Sequence, residues 1–283
     1  MEKYSNYIRQ RQQKINREIK DFSEKCLVKG YKHHQAALYT IYPEGHRYRS
    51  VLALEVYEML GGQQENFLKG VVGLECIHHA SLIFDDLPCM DNARKRKAKQ
   101  TTWVKYGEAT AILAAVALEN EGRYLIAENA REHGQERNVE RLLYETLRDL
   151  YIGQEIDLQE EKTDAALLES MQKKNKLMEV AFQLPAVLFG RNNREQVLLK
   201  CVGEDVAVAY QLFDDLRDVS SPEITGKPVG LDVGKQTSVY RWGIDRVREQ
   251  LIERKRRAID NIRSIKEGTQ LEAMIEHMMT TPS

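Results

Sequence analysis

Apolar residues recur along this chain at helical spacing, and alternation at a spacing of two is scarce. Val51, Leu52, Leu54, Val56, Tyr57, Met59 and Leu60 form a broad apolar face that stops at Gly61-Gly62, a helix-ending signal. From Val71 to Phe84 the chain is apolar on all sides, which predicts a buried central helix. The stretches Ala109 to Ala127, Leu177 to Phe189 and Val202 to Phe213 share that character. Charged helices such as Glu140 to Leu150 lie between them, and Arg246 to Lys266 is expected as an exposed late helix. Only 6 prolines and 17 glycines interrupt the pattern, and neither a repeat nor a Pro/Ser linker is visible. The expectation is an all-α bundle forming a single domain over residues 1–283.

Charge narrows the function. Lys plus Arg (42) nearly balances Asp plus Glu (43), for a net charge of −1, which argues against a nucleic-acid partner. The apolar runs read as too short for an integral membrane segment, and the first twenty residues lack the apolar stretch of a secretory signal. The four cysteines (Cys26, Cys76, Cys89, Cys201) lie far apart, which fits a reducing, cytoplasmic setting.

Two acidic clusters stand where charge is expensive. Asp85-Asp86 follows Ala80-Ser-Leu-Ile-Phe, with Asp91 six residues beyond Asp85; Asp214-Asp215 follows Val206 to Phe213, with Asp218 beyond. Each pair falls at the C-terminal end of a helix expected to be buried. There carboxylates lose hydration, face the negative end of the helix dipole, and raise one another's pKa. Asp214, Asp215 and Asp218 share one helix face. Asp91 is off that spacing, and Pro88 is expected to break the helix and return it toward Asp85. A divalent cation would offset all three penalties. Mg²⁺ takes one or two carboxylates and completes its shell with water and phosphate, so two facing acidic helices would hold a diphosphate. The basic candidates for that diphosphate are Arg47, Arg49, Arg96, Lys97, Lys173, Lys227 and Lys235.

Taken in order, these segments closely resemble the trans-isoprenyl diphosphate synthase family. Gly45-His-Arg-Tyr-Arg49 resembles its G-K-R-x-R-P segment, Asp85 to Asp91 its first aspartate-rich motif, and Gly153-Gln154…Asp157 its G-Q-x-x-D. Lys173-Lys174 matches K-T, Phe213 to Asp218 the second aspartate-rich motif, and Gly226-Lys227…Asp232…Lys235 the closing loop. The resemblance implies an isoprenoid synthase helical bundle, a homodimer, with a central cavity between the two Asp-rich helices. It implies three Mg²⁺ per active site, bound through Asp85, Asp86, Asp91, Asp214, Asp215 and Asp218. Arg96, Lys173, Gln211 and Lys227 would serve the allylic diphosphate, His46, Arg49, His78 and Lys97 isopentenyl diphosphate, and Asp218 and Lys235 would also bind substrate. The implied reaction ionises the allylic diphosphate, alkylates isopentenyl diphosphate and expels a proton, with no protein nucleophile.

The chain departs from the family pattern at His46, Ser50, Phe84, Lys97, Trp103 and Lys174, and Arg94 to Lys99 lacks the usual R-R-G turn. Two other readings therefore stay open: a cyclase acting on a prenyl diphosphate alone, and a low-activity partner subunit of a heteromeric synthase. Ala80 and Ser81, one turn before Asp85, are small where an aromatic would close the cavity floor. By the resemblance that favours a geranylgeranyl (C20) product, with Leu74 and Leu113 as other candidates for the floor.

Overall fold

The computed structural model describes residues 2–26, 30–42, 45–96, 98–219 and 237–279. The chain divides into two compact units, residues 1–140 and 141–283.

In the first unit the core is α4 (Leu68–Asp86), entered through a single 3₁₀ turn, Gln64–Phe67. Val71, Val72, Leu74, Cys76, Ile77, Ala80 and Ile83 are all buried, as all-round apolarity requires. The stretch 64–86 is in fact long and apolar enough to cross a membrane, which corrects the expectation from run length; most of it is buried in this unit's core. Helix α1 (Glu2–Cys26) is polar overall but buries Ile8, Ile15, Ile19 and Phe22, a single stripe at helical spacing. Helix α2 (Lys32–Ile41) follows, then α3 (Tyr48–Met59), which ends where Gly61 takes φ +99°. After α4 come a two-stranded hairpin, β1 (Lys95–Arg96) with β2 (Lys99–Gln100), the short α5 (Thr102–Tyr106), and α6 (Glu108–Glu132).

Helix α6 packs along α4. A Cβ on Gly73 of α4 would lie 2.6 Å from the carbonyl oxygen of Gly122 on α6, and one on Gly122 would lie 2.6 Å from that of Gly73. The two backbones touch because neither residue has a side chain. The expected burial of α6 on all sides is wrong: Ile112, Leu113 and Val116 are 43%, 56% and 51% exposed on one face. Leu113 is thus exposed, whereas Leu74 is buried.

Helix α7 (Glu136–Asp157) leads into the second unit, followed by α8 (Asp164–Lys174), α9 (Lys176–Leu188) and the long α10 (Asn193–Asp218). Helices α11 (Ser238–Trp242), α12 (Ile244–Arg263) and α13 (Gln270–Met278) complete it. Helix α10 is its core, flanked by α9 and α12. Gly203 lets α10 meet the backbone of Glu179 on α9, where a Cβ would approach to 2.7 Å. The late helix is not simply exposed: Val247, Leu251, Ala258, Ile259 and Ile262 of α12 are buried. Its charged positions contribute too, since buried Asp205 of α10 accepts from Arg254 at 3.1 Å and from Arg257.

Gly73→Ala should lower stability by about 1–3 kcal/mol, because the added methyl would meet both the Gly122 carbonyl and the Ile126 side chain at 2.6 Å. A denaturant midpoint equal to that of the unmodified chain would show that α4 and α6 separate without penalty.

Candidate active site

The first acidic cluster sits where α4 ends. Leu87 leaves helical geometry and Pro88 follows, so the chain turns back as expected: Asp91 N–H donates to the Asp85 carbonyl at 2.9 Å. Asn92 N–H donates to Leu87 O at 3.0 Å, and Asn92 takes φ +49°. The turn is pinned further on by Thr101 Oγ1 and Trp103 Nε1, which both donate to Ala93 O, at 2.7 and 2.9 Å. Trp103, a departure from the family pattern, thus anchors the segment that carries Asp91.

Asp86 points inward, 4% exposed, and Arg96 on β1 grips it: Nη2 donates to Oδ1 at 2.8 Å and Nε to Oδ2 at 3.2 Å. Burial pushes the Asp86 carboxyl above its ordinary range and Asp91 adds to this, against the pull of Arg96. Ala98, at the glycine position of the family's turn, takes φ +62°, a left-handed geometry that disfavours alanine. Asp85 and Asp91 are partly exposed. Their donor set is all oxygen, which would suit Mg²⁺; among the described residues no three His, Cys, Asp or Glu converge on one point, so a bound ion would need water and phosphate for its other ligands.

Beside this cluster, Arg49 Nη1 donates to His78 Nε2 at 3.2 Å, so two residues assigned to one diphosphate do meet. Burial, then the Arg49 guanidinium, push His78 well below its ordinary pKa, and the imidazole is neutral at pH 7. His46 is exposed and stacks on Tyr48 at 5.0 Å. Arg47 is different from its neighbours. It is 5% exposed and bonded to Glu75 at 2.6 Å, so it is a structural cation and not a free phosphate ligand. Ala80 is 1% exposed, whereas Ser81 keeps partial exposure and donates Oγ to His78 O at 2.8 Å.

In the second unit Asp215 is the inward member, 4% exposed. Its Oδ1 accepts from Gln211 at 2.8 Å, and its Oδ2 accepts from Ser238 N–H at 2.9 Å and Ser238 Oγ at 2.6 Å. Asn175 Nδ2 donates to Gln211 Oε1 at 3.2 Å and so ties the α8–α9 junction to the cluster. Asp214 and Asp218 are partly exposed on the last turns of α10.

That junction holds Lys173 and Lys174. Gly153 on α7 admits it, since a Cβ there would lie 2.6 Å from Lys174 N and 2.7 Å from Lys173 Cβ. Lys173 donates to Asp149 at 3.1 Å and Lys174 to Asp157 at 2.6 Å, while Lys176 lies 3.3 Å from Asp149. The acceptor of the G-Q-x-x-D segment is therefore occupied by the lysine that replaces the family's threonine. Lys97, Lys227 and Lys235, with Gly226, Gly230 and Asp232, lie outside the described residues. Glu75, Asp149, Asn175 and Ser238 were missed in the sequence; only the position of Glu75 inside an apolar helix could have marked it.

Burial alone would raise Asp149, but Lys173, Lys176 and Arg148 hold it below its ordinary 3.8. Its contribution to stability is therefore full above that value and lost as pH falls through the lower folded value. Asp149→Asn should be less stable than the unmodified chain at pH 7, with the gap closing toward pH 3 in thermal melts. A gap that does not change with pH would refute the charge assignment.

Known proteins resemble this chain over most of its length. The Polyprenyl synthetase family model matches residues 32–279. The chain is 35% identical over 234 residues to geranylgeranyl pyrophosphate synthase 6, mitochondrial, of Arabidopsis thaliana, covering 76% of this chain and 69% of that protein. It is 31% identical over 238 residues to the farnesyl diphosphate synthase of Micrococcus luteus, covering 80% and 82%. The crystal structure of a Thermotoga maritima geranyltranstransferase matches with a TM-score of 0.81 and 26% identity, over 96% of this chain and 97% of that one. On the family match and the two sequence relatives, the chain belongs to the polyprenyl synthetase family of prenyltransferases.

Proposed function

We propose that the chain joins an allylic prenyl diphosphate to isopentenyl diphosphate and releases geranylgeranyl diphosphate, with Asp85 and Asp91 as ligands of Mg²⁺. The observation that carries this reading is the turn that folds Asp91 back onto Asp85 at the end of a buried helix, beside an arginine already positioned on Asp86. Relatives named geranylgeranyl diphosphate synthase, from Cyanophora paradoxa (33% identical) and Pseudescherichia vulneris (37%), support the product. They favour synthesis over the cyclase and partner-subunit readings.

When bound, Mg²⁺ supplies Lewis-acid stabilisation of the diphosphate that leaves. Arg96 and Lys173 bring fixed positive charge, Arg96 while it is still held by Asp86. Asp214 and Asp218 offer the same oxygen donors as the first cluster, while Asp86 and Asp215 hold Arg96 and Gln211 in place. Arg49, with neutral His78 behind it and His46 nearby, takes the diphosphate of isopentenyl diphosphate. The allylic C–O bond breaks with its electron pair on the departing diphosphate. The double bond of isopentenyl diphosphate then supplies the pair for the new C–C bond, and the proton lost passes to the released diphosphate. Lys97, Lys227 and Lys235 are assigned to phosphate from the sequence and the resemblance. The exposed stripe of Ile112, Leu113 and Val116 on α6 supports a homodimer.

Asp85→Ala and Asp214→Ala should each cut Mg²⁺-dependent condensation by about 10³-fold with the circular dichroism unchanged. Near-normal turnover in both would sink the assignment. Incubation with farnesyl diphosphate, with and without isopentenyl diphosphate, followed by mass spectrometry, should give a C20 diphosphate only when both are present. A hydrocarbon or alcohol formed from farnesyl diphosphate alone would mean a cyclase.

The chain-length reading has its own test. Ser81→Phe should shorten the product in a fold of unchanged melting temperature, whereas Ala80→Phe, at a filled position, should also lower that temperature. An unchanged product from both would place the floor elsewhere.

A further inference from the structure

Glu75 lies one turn before His78 on α4, is 2% exposed, and has both carboxylate oxygens engaged. Oε2 accepts from Arg47 Nη1 at 2.6 Å and Oε1 from Ser50 Oγ at 2.5 Å. Arg47 also donates through Nη2 to Ile41 O at 2.9 Å and through Nε to Asn16 Oδ1 at 3.0 Å, and its Nη1 is 3.4 Å from His79 Nε2. Burial alone would raise Glu75, yet Arg47, His79 and Ser50 hold it below its ordinary value, so the group is an anion in the folded chain.

This cluster fixes a strained piece of backbone. Arg47 caps α3 in the left-handed region, φ +49°, which a non-glycine residue keeps only when its surroundings over-determine it. Two residues on, Arg49 reaches His78. Arg47 to Glu75 and Arg49 to His78 are thus two neighbouring rungs between the start of α3 and one face of α4. The inner rung is buried at both ends, and the outer one carries the residues assigned to isopentenyl diphosphate.

We propose that Glu75, with Ser50, is a positioning residue for that substrate: it locks Arg47 in its left-handed turn and thereby sets where Arg49 meets the diphosphate. This rests on the assignment of Arg49 and His78 made above. Ser50 stands where the family pattern has proline, so the hydroxyl rung is this chain's own.

The test measures steady-state kinetics of the full chain with Mg²⁺, farnesyl diphosphate and isopentenyl diphosphate. Ser50→Ala, which removes one hydrogen bond, should raise KM for isopentenyl diphosphate about fivefold, while KM for farnesyl diphosphate and kcat stay within about twofold. Glu75→Gln, which keeps shape but loses charge, should raise it further; if that variant does not fold, Ser50→Ala alone decides. A rise in both KM values together, or a lower melting temperature with unchanged kinetics, would overturn the proposal. If the unmodified chain consumes no isopentenyl diphosphate, the functional reading itself fails, and this proposal with it.

Discussion

A carboxylate at the C-terminal end of a buried helix is disfavoured by lost hydration and by the helix dipole, and this chain places a pair of them there twice. Both pairs meet the constraint in the same way. The second aspartate turns inward and is satisfied by groups of its own unit: Arg96 for Asp86, and Gln211 with Ser238 for Asp215. The first aspartate and the last one of the motif stay partly exposed, where a cation and water can reach them. Much of the surrounding architecture serves this division. The β1–β2 hairpin delivers Arg96, the start of α11 delivers Ser238, and the turn through Pro88 returns Asp91.

The cations obey a related rule. Lys173, Lys174, Lys176 and Arg96 are each paired with a carboxylate in this structure. Within the second unit, unpaired lysines as close along the chain as Lys173, Lys174 and Lys176 would repel one another and lose hydration with no return. Pairing offsets that repulsion in the folded chain. Gly153 is part of the arrangement, because its missing side chain lets the lysine-bearing junction lie against α7, which carries Asp149 and Asp157.

What was legible in the sequence was whatever depends on local periodicity. The burial of α4, the stop of α3 at Gly61, and the return of Asp91 after Pro88 follow from residues within a turn or two of one another. Partners distant along the chain were not legible. Arg47 meets Glu75 across 28 residues, Lys173 meets Asp149 across 24, and Ser238 meets Asp215 across 23. Alternation of arginine with other residues at 47 and 49 gives no sign of which one turns inward, so Arg47 looked like a phosphate ligand until its burial was known. Composition misled in two places. Charge on α12 hid a buried stripe, and the apolar character of α6 hid an exposed one.

The departures from the family pattern look like losses when read singly, yet the structure gives three of them a partner. Ser50 gives up proline's rigidity and gains a bond to buried Glu75. Lys174 gives up a threonine hydroxyl and gains Asp157, and Trp103 gives up an imidazole and holds the carbonyl of Ala93. Ala98, by contrast, accepts a left-handed turn that glycine would adopt without strain. Substitutions that decay at random leave buried polar groups without partners, because a new donor rarely finds an acceptor in a packed interior. Ser50, Lys174 and Trp103 each have one here, so these three departures leave no polar group of their own unsatisfied.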